Sequence, residues 1–240
     1  MTFFLQLISN LMVMLFSTGP ANVDGNKSRL LIPRSEDFTV TGDGKSSQWN
    51  KTIWIEVPLL FAKSNNYQTK VKILYSKRGL YFLFYCEDKR ITATMQGDFL
   101  DLWNEDVIEI FLQPNPSVPE YFEYELSPLN YELPICIYNQ NGSLNSWIPF
   151  HYEGSRKTQH GVSVQGGEQK SNAEIHGWTS EIFMPFDLLK PIMNSPPVSG
   201  TIWKGNLNRI DYDNGETLWS WQSNSGDFHE YAKFGIFEFE

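Results

Sequence analysis

The chain has 240 residues, enough for one large domain with its own hydrophobic core. It is 41% hydrophobic and 15% aromatic, and its formal net charge of −9 excludes the basic footprint that nucleic acid or an anionic membrane surface requires. Two cysteines, Cys86 and Cys136, make neither a disulfide scaffold nor a zinc site; their apolar settings favour free thiols, with a single disulfide between them the alternative in an oxidising compartment.

From the N-terminus, Phe3 to Phe16 is an apolar run too short for a transmembrane helix, followed by a polar segment from Ser17 to Lys27. This predicts a signal peptide over residues 1–25 and a mature domain over 26–240, in a secreted, periplasmic or cell-surface protein with no membrane span after cleavage. The departure from the usual pattern is that no Lys or Arg precedes the apolar run.

Strand signals then recur between Gly, Pro and Asn clusters. Val71–Tyr75 and Leu80–Cys86 form a hairpin, and the second arm is apolar on both faces, as expected of a central strand covered on both sides. Val107–Leu112 and Tyr121–Leu126 form a second hairpin around Pro114 to Ser117. Leu133–Tyr138, Gly161–Gln165, Trp178–Met184, Leu207–Tyr212, Thr217–Trp221 and Phe234–Phe239 follow, with one short helical turn at Pro185–Leu189. Many short strands without long amphipathic helices predict an all-β fold, an antiparallel jelly-roll-like β-sandwich in a single domain.

The chemistry concentrates at Asp101 to Leu112. Ile108, Ile110 and Leu112 alternate with Val107, Glu109 and Phe111, so Glu109 points away from the core, and Trp103 stands at the strand entrance. An indole beside a carboxylate suits a sugar: the ring stacks on C–H faces and the carboxylate accepts hydroxyl hydrogen bonds. Glu123 and Glu125 share a face of the neighbouring strand, opposite Phe122, Tyr124 and Leu126. Trp219 and Trp221 alternate further on, ahead of a polar turn from Asn224 to His229. No nucleophile elbow, zinc-protease helix, phosphate loop or dinucleotide fingerprint occurs.

The order of these motifs carries a resemblance. It runs through Phe38-Thr-Val-Thr-Gly-Asp-Gly44, Trp49, Glu87-Asp88, Trp103, Asp106-Val-Ile-Glu-Ile-Phe111, Tyr124-Glu-Leu-Ser-Pro-Leu-Asn130, Gly177-Trp178 with Glu181-Ile182, Arg209-Ile-Asp211, Trp219-Ser-Trp221 and Phe234-Gly235. Nearly the whole predicted mature chain resembles a family 9 carbohydrate-binding module, within the wider DOMON-like sandwich group. The resemblance implies a non-catalytic, monomeric accessory module of carbohydrate catabolism that binds oligosaccharides or polysaccharide chain ends of the xylan or cellulose kind. It implies a sugar clamped between Trp103 and a second aromatic, Trp221 or else Phe228, with hydrogen bonds from Glu109, and it adds Glu123, Glu125, Asn130 and Arg209 as sugar ligands. It also implies structural calcium, with Asp43, Asp88 and Asp106 as candidate ligands, and no organic cofactor. The chain departs from the family where an Arg is expected on the next strand and Glu123 or Glu125 stands instead. Two other readings remain: a haem-binding DOMON-like electron-transfer domain drawing on Met95, Met184 or His229, and a glycoside-active enzyme using Glu109, Glu123 and Glu125.

Overall fold

The computed structural model describes residues 28–61, 66–140, 143–150, 152–190, 192 and 194–240. The predicted signal peptide lies outside them. The strands in chain order are β1 (Arg29–Ile32), β2 (Ile55–Glu56), β3 (Leu59–Phe61), β4 (Thr69–Tyr75), β5 (Gly79–Glu87), β6 (Val107–Gln113), β7 (Glu120–Leu126), β8 (Glu132–Gln140), β9 (Ser143–Pro149), β10 (Gln159–Gln165), β11 (Gly177–Pro185), β12 (Ile202–Asp211), β13 (Thr217–Ser220) and β14 (Gly235–Phe239).

They form two facing sheets. The larger runs β1-β14-β12-β6-β7-β8-β9, with β13 pairing β12 and β3 pairing β13; the smaller runs β10-β11-β5-β4-β2. Among the described residues the strand pairs are antiparallel except one: β1 lies parallel to β14. The expected short helical turn is present as two successive i→i+3 bonds, Leu188 N–H to Pro185 O and Leu189 N–H to Phe186 O.

Period-two alternation sorts the side chains. Ile108, Ile110 and Leu112 of β6 and Phe122, Tyr124 and Leu126 of β7 enter the core between the sheets, against Phe82, Phe84 and Cys86 of β5 and Trp178 of β11. Val107, Phe111 and Tyr121 pack on the outer face of the larger sheet with Leu133, Ile135, Ile137, Ile210, Leu218, Phe228 and Phe234. As expected, β5 is covered on both sides, since Tyr81 and Leu83 pack outward with Trp49 and Phe183.

Strand β12 is the junction. One edge pairs β6 throughout; the other pairs β14 through Ile202–Gly205 and then β13 through Asn208–Asp211. The chain therefore forks around Asn206 and Leu207. The fork is held by Asn206, whose Nδ2 donates to Ser220 Oγ (2.9 Å) and whose Oδ1 accepts from Gln222 N–H (2.9 Å).

Glu181, on the outer face of β11, fixes the loop before β2. Its Oε2 accepts from Thr41 N–H and Gly42 N–H, both at 2.7 Å, and its Oε1 accepts from the Trp49 indole at 2.6 Å. Gly42 has φ +90, and a Cβ there would lie 2.4 Å from the Gly161 carbonyl carbon, so glycine alone allows this approach. The Gly42, Trp49 and Glu181 signals thus mark one packed corner.

Candidate functional site

The site lies on the outer face of the larger sheet, in a cleft of about 400 Å³. Its floor comes from β6, β7 and β8, one wall from the turn carrying Trp103, another from β9, and a third from the loop after β13. Trp103 sits in the single 3₁₀ turn Leu102–Asn104, anchored by buried Leu102. Tyr212 Oη donates to the Trp103 carbonyl at 3.1 Å. Glu105 Oε2 accepts from Thr94 and Met95 N–H, at 2.6 and 2.9 Å. Asp106 accepts from Thr92 N–H at 2.5 Å and Tyr212 N–H at 2.8 Å. Glu105 and Asp106 are thus the acceptors that fix the turn carrying Trp103.

Glu109 and Glu123 line the cleft, and Glu125 lies beside them on the same face, paired in register with Glu109. Carboxylate oxygens of the three lie within 4.8 Å of one another, and each residue is at most 3% exposed. Burial pushes all three above the ordinary carboxylate range, Glu123 to about 8, and their mutual repulsion raises Glu109 and Glu125 further. Glu123 Oε2 and both Glu125 oxygens lack a well-formed hydrogen bond; the polar groups facing Glu125 are the Glu123 carboxyl and the Trp103 backbone.

The loop wall is built by local Asx-type bonds: Gly226 N–H to Asn224 Oδ1 (2.9 Å) and His229 N–H to Asp227 Oδ1 (2.8 Å). Asn139 of β8 donates to the His229 carbonyl at 2.8 Å. These contacts set Phe228 on the cleft and the His229 imidazole over Phe111, with ring centroids 5.4 Å apart. His229 Nδ1 lies 2.6 Å from Tyr121 Oη, and burial lowers its pKa, which favours the neutral ring.

The aromatic facing Trp103 is Trp147 of β9, centroid to centroid 5.5 Å and edge to face at 77°. Trp147 is 37% exposed and sits opposite Ile137 in register. Sequence reasoning missed it because β9 is an exposed edge strand without alternation; the only signal was an indole in a polar stretch.

Of the expected sugar ligands, Trp103, Glu109, Glu123 and Phe228 line the cleft, with Glu125 beside them. Trp221 does not: it enters the core on the same side as Trp219 and stacks on Phe237 at 5.4 Å, so the two indoles share a face as their alternation requires, and that face is the core. Asn130 occupies a left-handed turn position (φ 71) and meets His160 Nδ1 at 2.9 Å, away from the cleft lining. Arg209 is wholly buried between the sheets. Its Nη2 donates to Asp88 (3.0 Å) and Asp211 (2.6 Å), its Nη1 to the Glu87 carbonyl (2.7 Å), and its guanidinium lies over Trp219 at 4.7 Å. Its neighbour Asn208, opposite Glu109, takes the outward position.

The candidate calcium ligands divide. Asp88 and Asp106 come together with Asp211, which sequence reasoning did not include, with oxygens within 4.8 Å and each residue at most 1% exposed. Asp43 is elsewhere, on the Gly42–Gly44 turn, paired with Lys45. Burial pushes Asp88 up to about 7 and Asp106 well above its ordinary value. Arg209 balances one of the three charges, so an all-oxygen, net-negative donor set remains that fits a hard divalent cation. Of the haem candidates, Met184 is in the core between the sheets, while Met95 and His229 are both on the outer face, where His229 lines the cleft and Met95 is outside its lining.

Residues 40–195 match the carbohydrate family 9 binding domain-like family. An extracellular protein of Arthroderma benhamiae is 26% identical over 147 residues, spanning 59% of this chain and 63% of that protein, under two-thirds of its length. Two solved structures share the fold. A candidate carbohydrate-binding protein from Bacteroides uniformis superposes with a TM-score of 0.72 at 16% identity, covering 89% of this chain and all of that one. A family 9 carbohydrate-binding module from Caldicellulosiruptor kristjanssonii, in complex with cellotriose, superposes with a TM-score of 0.64 at 14% identity, covering 89% and 94%.

Proposed function

Since the chain belongs to the carbohydrate family 9 binding domain-like family, we propose that it is a non-catalytic saccharide-binding domain whose site is the Trp103–Glu123 cleft. The observation that carries this is the grouping of Trp103, Trp147 and Phe228 around Glu109 and Glu123. Rings supply stacking surface and carboxyl groups supply directional hydrogen bonds, the combination a pyranose uses. The solved relative bound to cellotriose supports a β-linked glucan as ligand, and a xylan-type chain presents a similar ring.

Trp103 and Trp147 stand too close for a sandwich as they are. A sugar between two parallel rings needs about 7–8 Å, twice a van der Waals contact, against 5.5 Å here. Binding therefore turns the exposed Trp147 outward while Trp103, held by its turn, keeps its place.

The same reading covers residues 26–240 as one extracellular domain acting as an accessory to carbohydrate breakdown by other proteins, and as a monomer. Calcium, on this reading, is structural and is held by Asp88, Asp106 and Asp211, where it would balance buried charge on the inner side of the larger sheet, across from the sugar.

Titration calorimetry of the full chain tests the proposal, using cellobiose, xylobiose, glucose and their reduced forms. Binding abolished by Trp103→Ala in a folded protein is the expected result. Absence of heat with every sugar overturns it.

A further inference from the structure

The charge of the cleft goes beyond what a neutral sugar requires. Among the described residues its lining carries Glu109, Glu123, Glu216 and Asp227 and includes no Lys or Arg. His229 is pushed toward neutrality by burial, and its ring is engaged by Tyr121 and Phe111. Burial alone keeps the Glu109 and Glu123 carboxyls protonated; a neutral hydroxyl asks for only one acceptor there, whereas a bound cation would let these carboxyls ionise with loss of the proton to solvent.

The floor makes the mismatch specific. Glu123 is 3% exposed and Glu125 is fully buried, yet three of their four oxygens lack a well-formed hydrogen bond, facing each other's carboxyl and the Trp103 backbone. Buried acceptors left unpaired are costly, so such a cluster is completed by a donor-rich ligand group. A primary ammonium carries three N–H donors and one positive charge, and would sit between aromatic faces that favour cations.

We propose that the cleft selects saccharides bearing a free amine, glucosamine units and their oligomers, over neutral sugars. The proposal rests on the saccharide-binding reading above. The ring stacks on Trp103, and the ammonium is received by Glu123 and Glu109 with Glu125 behind them. The substitution of carboxylates for the arginine that the family resemblance leads one to expect is then a change of ligand class: the cation moves from the protein to the sugar.

The test is calorimetry of the full chain at pH 6 with glucosamine, N-acetylglucosamine and glucose, and with the corresponding disaccharides. The three monosaccharides share a ring and differ in charge. Expected are at least tenfold tighter binding of the amine than of glucose, no such gain for the N-acetyl form, and a preference that shrinks in 0.5 M NaCl. Glu123→Gln, with its folding checked by thermal melting, is expected to cut the glucosamine-to-glucose ratio about tenfold. Glucose binding as well as or better than glucosamine overturns the proposal and leaves the saccharide reading intact. Equal gain from the N-acetyl form also overturns it, by assigning the preference to contact rather than charge. Neutral-sugar binding that appears only with added calcium overturns it in favour of a bridging ion. Silence from all the sugars removes the saccharide reading and this inference together.

Discussion

Trp49 and Glu181 are separated by 132 residues and meet in a 2.6 Å hydrogen bond, with neither side chain more than 2% exposed. The same carboxylate receives Thr41 and Gly42 N–H, so one side chain closes the long loop over the outer face of the smaller sheet.

Glu181→Ala is therefore expected to leave two buried donors, Gly42 N–H and the Trp49 indole, unpaired at roughly 1–3 kcal/mol each before relaxation, and to free the part-buried Thr41 N–H as well. The expected loss is about 3 kcal/mol or more by urea denaturation. Trp49→Phe removes only one of these donors and is expected to cost less.

Trp147→Ala separates binding from stability. The side chain is on an exposed edge strand, so the melting temperature is expected to stay nearly constant while sugar affinity falls severalfold or more. Trp221→Ala is expected to do the reverse. Its ring is packed on Phe237 in the core, so its truncation costs about 3–5 kcal/mol. Parallel calorimetry and melting of the two variants checks the pair.

The carboxylate floor makes unliganded stability depend on pH. Glu123 titrates at an ordinary 4.5 when unfolded and near 8 when folded. Between those values the folded state holds a proton that the unfolded state has released, so stability falls as pH rises through this window. Glu123→Gln is expected to raise the melting temperature at pH 8 more than at pH 5. A melting series across that range reads the difference directly.

Calcium is expected to raise the melting temperature at pH 7.5 and a chelator to reverse it, with Asp106→Asn abolishing the response. Arg209→Met, which strands Asp88 and Asp211 without their counter-charge, is expected to cost about 3–5 kcal/mol. Calcium should offset part of that loss. Melting with and without calcium distinguishes these outcomes.

The sandwich was legible because β5, β6, β7 and β11 are long and largely apolar, β5 on both faces, and alternation in β6 separated Glu109 from Ile108 and Ile110 correctly. The second half of the site was not. Trp147 lies on an edge strand whose residues are nearly all exposed, so no burial pattern marks it. Trp221 misled because the family pattern asks for a second clamp aromatic in this segment, whereas its alternation with Trp219 placed both indoles on one face, and that face is the core. Arg209 misled for a different reason. A cation in a sugar-binding family suggests a hydroxyl donor, and only the three-dimensional placement of Asp88 and Asp211 reveals an internal ion pair.

Strand β12 carries Asn208 toward the cleft and Arg209 toward the buried acidic cluster. Successive residues of one strand thus serve two separate constituencies, and strand geometry keeps their side chains on opposite sides of the sheet. Ligand preference can be rewritten by exchanging outward residues of β6, β7 and β12 while the inward set goes on specifying the same sandwich. A domain built this way has wide evolutionary latitude in what it holds and little in how it folds.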